Sequence, residues 1–102
     1  MDTHKLSNKL QTIASTYLSI SRMLQVDSFH SQSFKENQYS NFCFTVELAY
    51  SSLSAPLKRI INNDFFYQDY PGWWKLCYKR HEYLKLRELA IKRFMEAYYE
   101  IN

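Results

Sequence analysis

A chain of 102 residues that contains one glycine and two prolines has very little with which to build tight turns. Two-residue hairpins depend on residues that accept positive φ, and phosphate-cradling loops need several glycines close together. Gly72 alone cannot meet either need, so β-rich folds and nucleotide-binding loops are disfavoured and an all-α architecture is expected. The apolar share of 46% is enough for one core, and the length fits one domain over residues 1–102. Charged and amide residues interrupt every apolar stretch well before the roughly 20 residues a membrane-spanning helix requires, so no membrane partner is expected. The opening MDTHKLSNKL has neither the apolar segment nor the small-residue cleavage site of a secretory leader, which makes a cytoplasmic location the expectation. Cys43 and Cys77, each between aromatic or aliphatic neighbours, read as buried thiols rather than as a bridge.

Hydrophobic spacing divides the chain into about five helices. Leu6, Leu10, Ile13, Tyr17, Ile20 and Leu24 recur at alternating steps of four and three, one stripe of a helix. The opposite side holds Gln11, Thr12, Ser15, Thr16 and Ser19, an uncharged face that a neighbouring element or a second copy can cover. From Val26 to Asn41 the periodicity is lost, which reads as a loop pinned by Phe29, Phe34 and Tyr39. A second helix is expected to start after Ser40 or Asn41 and to end near Ser52, with Cys43, Phe44 and Leu48 inward. Ser54 is a suitable N-cap for a third helix, with Pro56 in the first turn and Leu57, Ile60, Ile61 and Phe65 inward. Pro71-Gly72 is the clearest turn signal. Trp73, Trp74, Leu76 and Cys77 follow as a short fourth helix. A fifth then runs from about His81 to Ile101, with Tyr83, Leu86, Ala90, Phe94, Ala97 or Tyr98, and Ile101 facing the core.

The net charge of +3 lies wholly in the second half of the chain. Between Lys75 and Arg93 the basic residues are Lys75, Lys79, Arg80, Lys85, Arg87, Lys92 and Arg93, against Glu82 and Glu88. A short helix, a tight junction at residues 78–81 and a longer basic helix occur in the order of a helix-turn-helix unit. Such units bring the start of the second helix to duplex DNA, where amides and nearby cations meet phosphate and the first exposed side chains reach base edges. The expected contacts are Lys79, Arg80, His81, Glu82 and Lys85 at or near bases. Lys75, Arg87 and Lys92, with Lys58 beside them, are expected on phosphates.

Over residues 48–101 the chain resembles the sigma-factor region-4-like proteins of low-GC bacteria, phages and mycoplasmas, including ArpU-like regulators. The resemblance rests on Ile60-Ile61-Asn62-Asn63-Asp64-Phe65-Phe66, the pair Trp73-Trp74, the junction from Tyr78 to Arg87, and Ala90-Ile91-Lys92-Arg93-Phe94. It implies a DNA-binding regulator of transcription that works with RNA polymerase. At the junction, where that family has small hydroxyl residues to cap the recognition helix, this chain has Lys79, His81 and Glu82, so the cap must be made differently. Residues 1–47 lie outside the resemblance. They can complete the core, form a homodimer through residues 6–24, or bind another protein. A helical protein–protein interaction module that does not touch DNA is therefore the alternative reading.

Other chemistries have weaker footing in the sequence. His4, His30 and His81 are far apart and no Cys-x2-Cys or His-x3-His spacing occurs, so no metal or other cofactor is expected. No Gly-x-Ser-x-Gly elbow is present, and enzymatic activity is not expected. Asp64 and Asp69 flank an aromatic run, where capping or turn formation is a better reading than paired catalytic acids. One of Trp73 and Trp74 is expected to plug the core and the other to cover the third helix, in preference to stacking on unpaired bases.

Overall fold

The computed structural model describes residues 3–26 and 34–101. It is all-helical, with no strand among the described residues. The described residues form four α-helices: α1 (Thr3–Val26), α2 (Phe34–Ser51), α3 (Ala55–Ile61) and α4 (Arg80–Ile101). A π turn, Asn62–Phe66, continues α3, and a single 3-10 turn, Trp73–Leu76, precedes α4. This 3-10 turn stands where the sequence predicts a fourth helix, and none of its residues is fully buried. Phe29 and His30 lie outside the described residues.

The core follows the apolar stripes. Leu10 and Ala14 of α1, Val46 and Ala49 of α2, Ile60 and Ile61 of α3, and Ala90, Ile91 and Phe94 of α4 are all essentially inaccessible to solvent. The fully buried alanines allow close approach of helix to helix, and the larger side chains fill the space between. α4 packs on each of the other three helices, which is why Ile91 and Met95 are buried beside the predicted stripe and why Ile101, at the end, is exposed. α1 and α4 run in the same direction: Thr3 hydroxyl donates to Glu88 at 3.2 Å, and Lys9 further along lies 6.0 Å from the Tyr99 ring.

Three expectations about α2 and the cysteines are corrected. The helix begins at Phe34 and not after Ser40, because Lys35, Glu36 and Gln38 favour helix without contributing an apolar stripe. Its inward register is Cys43, Val46 and Ala49, while Phe44 and Leu48 face solvent at 60% and 40% exposure. In Phe42-Cys43-Phe44 the small residue takes the central inward position, since three successive helical positions cannot share one face. Cys43 is a buried free thiol, but Cys77 is free and exposed at the end of the 3-10 turn.

The connection from α2 to α3 is short and well bonded. Ser52 hydroxyl donates to the Ala49 carbonyl at 2.6 Å, and the Ser54 carbonyl accepts the first bond of α3 from Lys58 N–H at 2.9 Å. Ser54 is the N-cap residue as predicted and Pro56 falls in the first turn, yet the Ser54 hydroxyl makes no capping bond.

The π turn decides what the end of α3 presents. Leu57, Ile60 and Ile61 set an inward face on which an uninterrupted α-helix would next place Asp64. Instead Tyr67 N–H bonds to the Asn62 carbonyl, five residues back, at 2.8 Å, so this turn contains an extra residue. The phase shifts by that residue: Phe65 enters the core at 2% exposure, and Asp64 is carried to the flank.

Candidate nucleic-acid interface

The flank position gives Asp64 its partners. Its carboxylate accepts hydrogen bonds from Trp73 Nε1 at 2.8 Å and from the Tyr83 hydroxyl, and pairs with Arg87 Nε at 3.3 Å. The π turn, the 3-10 turn and α4 are thereby joined through one side chain. Asp64 is thus a cross-link between elements and not the cap or turn former that the sequence suggested. Burial, and then the bond to Asp64, push the Tyr83 phenol above the ordinary tyrosine range.

Both tryptophans are used internally. Trp73 is half-buried against the core and meets Tyr83 edge-on at 6.1 Å, with the Arg59 guanidinium 5.4 Å from its ring. Trp74 stacks flat on Tyr83, with centroids 4.5 Å apart and planes 5° apart. Trp73 is the expected plug, whereas Trp74 covers the start of α4 and not α3. Gly72, at φ +80°, makes the turn that feeds the chain into these contacts, a conformation that other residues enter only with strain.

α4 opens with Lys79 at its N-cap. Glu82 Oε1 accepts the Lys79 backbone N–H at 3.3 Å, the glutamate half of a capping box. This supplies the cap that small hydroxyl residues would otherwise give, and it commits the only acid of the first turn to the backbone. Glu82 was expected beside bases; its geometry makes it a capping residue.

Around that end Lys75, Lys79, Arg80, His81 and Lys85 are all exposed. None of the four cations Lys75, Lys79, Arg80 and Lys85 has a carboxylate within 4.0 Å among the described residues. The other predicted contacts differ. Arg87 turns inward, held by Asp64 and with its guanidinium 5.0 Å from the Phe65 ring, so it is a packing residue and not a free phosphate ligand. Lys92, about 18 Å along the axis from Arg80, pairs with Glu88 at 3.3 Å. Lys58 stands over the Tyr50 ring at 5.9 Å, on α3 and not on α4. Arg59, which the sequence reading passed over, reaches this end through Trp73; no local pattern signals a contact between residues so far apart.

The stripe predicted for a homodimer is largely consumed inside the chain. Leu6, Leu10 and Ala14 are buried, with Ile13 and Tyr17 packed against the same core. Among the described residues no group of three His, Cys, Asp or Glu side chains gathers as metal ligands would, and no helix is long and apolar enough to cross a membrane. No protein-family profile, curated protein or solved structure matches this chain.

Proposed function

We propose that this chain is a small duplex-DNA-binding regulator of transcription, with α4 as its recognition helix in the manner of sigma-factor region 4. One observation carries the reading: four cations with no carboxylate partner among the described residues, Lys75, Lys79, Arg80 and Lys85, cluster at the start of α4. Lys92 and Arg93 further along are paired with Glu88 and Glu96, whereas Lys75, Lys79, Arg80 and Lys85 have no such partner among the described residues. The helix macrodipole places its positive end at the same point, which favours phosphate there. Arg80, His81 and Lys85 then face base edges while Lys75 and Lys79 hold backbone phosphates. Glu82 supports the helix start. In this reading α3 with its π turn is the brace, in place of the short helix expected at residues 73–77, which is a single 3-10 turn, and the Asp64 cross-link sets the angle at which α4 is offered. The resemblance to region 4 adds RNA polymerase as a partner of the bound protein.

Binding to a pool of random duplex DNA, followed by fluorescence anisotropy over a series of salt concentrations, tests the proposal. The wild type is expected to bind with a steep salt dependence. Lys79→Ala should flatten the slope by about one unit while weakening all sequences alike, and Arg80→Ala should change the preferred sequence. Equal affinity of wild type and an R80A/K85A variant at moderate salt would sink the groove assignment.

A helical protein-interaction module is the second reading, and it is favoured by Phe44 and Leu48, two large apolar side chains one turn apart on the outside of α2. If it holds, DNA is not bound at low salt, and Phe44→Ser removes association with the protein partner.

A further inference from the structure

A second site lies away from the basic end and does not depend on the DNA reading. α1, α2 and the π turn enclose an open cavity of about 210 Å³. Four aromatic side chains line it, Tyr17, Tyr50, Phe66 and Tyr67, together with the Glu47 carboxylate; the remaining lining side chains are neutral. We propose that this cavity binds a small quaternary ammonium cation.

The chemistry of the lining selects the charge. Aromatic faces carry negative quadrupole potential, and a carboxylate beside them adds a full negative charge with no lysine, arginine or histidine in the lining to oppose it. Lys58, which is not in the lining, places its Nζ 5.9 Å from the Tyr50 ring, a cation that a ligand at that ring has to displace. The site is also held in shape before any ligand arrives. Tyr17 hydroxyl donates to Glu47 Oε1 at 2.8 Å, and the Tyr17 and Phe66 rings meet edge-to-face at 5.6 Å and 79°. Burial, and then this bond to Glu47, keep the Tyr17 phenol protonated well above the usual tyrosine range, so it remains a neutral donor and does not compete for the cation.

The mostly aromatic lining disfavours other cations. A metal ion would need several hard oxygen ligands gathered at one point, and the cavity has a single carboxylate, already bonded to a phenol, its other oxygens being neutral hydroxyls and the Asn62 amide. A primary ammonium carries three N–H donors that must be satisfied on leaving water, and most of the lining is ring surface that offers them little. A methylated ammonium has no N–H to satisfy and presents a diffuse charge to ring faces. The volume lies below the roughly 300–1,000 Å³ of sites that enclose a drug-sized ligand, which fits a head group.

Titration of the intact protein with choline, read by the aromatic ring resonances of the tyrosines, tests the site. The neutral carbon isostere 3,3-dimethylbutan-1-ol serves as control, and free tetramethylammonium separates the head group from the hydroxyl arm. Saturable shifts are expected with both cations, and about tenfold weaker binding of the isostere. Glu47→Gln should weaken choline several-fold without affecting the isostere. Tyr67→Leu, at a ring that is already 56% exposed, should do the same with the fold intact by circular dichroism. Isostere binding as tight as choline would make this a merely apolar cleft, and an absence of shifts with either cation would remove the site altogether.

Discussion

Asp64 shows how much of a small helical protein can depend on one acidic residue. Its carboxylate serves Trp73, Tyr83 and Arg87 at once, and its removal leaves these donors in a partly buried setting. Asp64→Ala is expected to lower stability by about 1–3 kcal/mol in urea unfolding. Tyr83→Phe, which removes one of the bonds, should cost less. The Tyr83 phenol also sets a pH dependence. Its folded pKa lies above the ordinary value of about 10, so the native state holds this proton more tightly than the unfolded chain does. That stabilisation is complete below about pH 10 and declines as pH rises beyond it. Tyr83→Phe should therefore soften the alkaline fall in the urea midpoint, with the remainder coming from Tyr17, whose phenol is displaced the same way. The sequence marks Tyr83 as a core residue but gives no sign of this network. The partners of Asp64 lie 9, 19 and 23 positions away, separations that no helical period encodes, and the acid reaches them only because of the π turn.

Helix interiors were legible where an apolar stripe is unambiguous, as in α3, and not in α2, where Phe44 and Leu48 were expected inward and face solvent. Leu57, Ile60, Ile61 and Phe65 are all buried, as the sequence reading expects, the first three because an apolar stripe on a short helix has only one way to face a core and Phe65 because the π turn brings it there. The start of α2 was not legible, since polar helix formers leave no stripe to read. At the start of α4 the sequence places Glu82 beside bases while the structure gives it a bond to the Lys79 backbone, because a cap and a base contact call for the same exposed position near a helix N-terminus. The two roles make opposite predictions. Glu82→Ala should destabilise the protein by roughly 0.3–1.5 kcal/mol, seen as a lower midpoint in thermal unfolding, and leave DNA sequence preference unchanged. Gly72→Ala should cost about 1 kcal/mol. The nearest atom to an added Cβ there is the flexible Lys75 side chain at 3.3 Å, so the cost comes from the positive φ and not from a clash.

At the scale of the whole molecule the two ends of α4 are electrostatically unlike, and this was legible only in part. Counting charges located the basic excess, but it did not separate cations held by neighbours from cations left to solvent. Arg87 and Lys92 fall in the first group, while Arg80 and Lys85 fall in the second. An R80A/K85A variant should accordingly lose much more DNA affinity than a K92A/R93A variant of equal charge change, in anisotropy titrations at one salt concentration. The π turn, finally, bears on chain length. Because it accommodates one residue more than an α-helical turn, residues 55–66 bury the same face that an unbroken helix one residue shorter would bury. In-frame loss of the single codon for Asn62 should then close the bulge, keep Phe65 in the core and leave a folded protein. Loss of the codon for Ile60, where no spare residue exists to absorb it, should not.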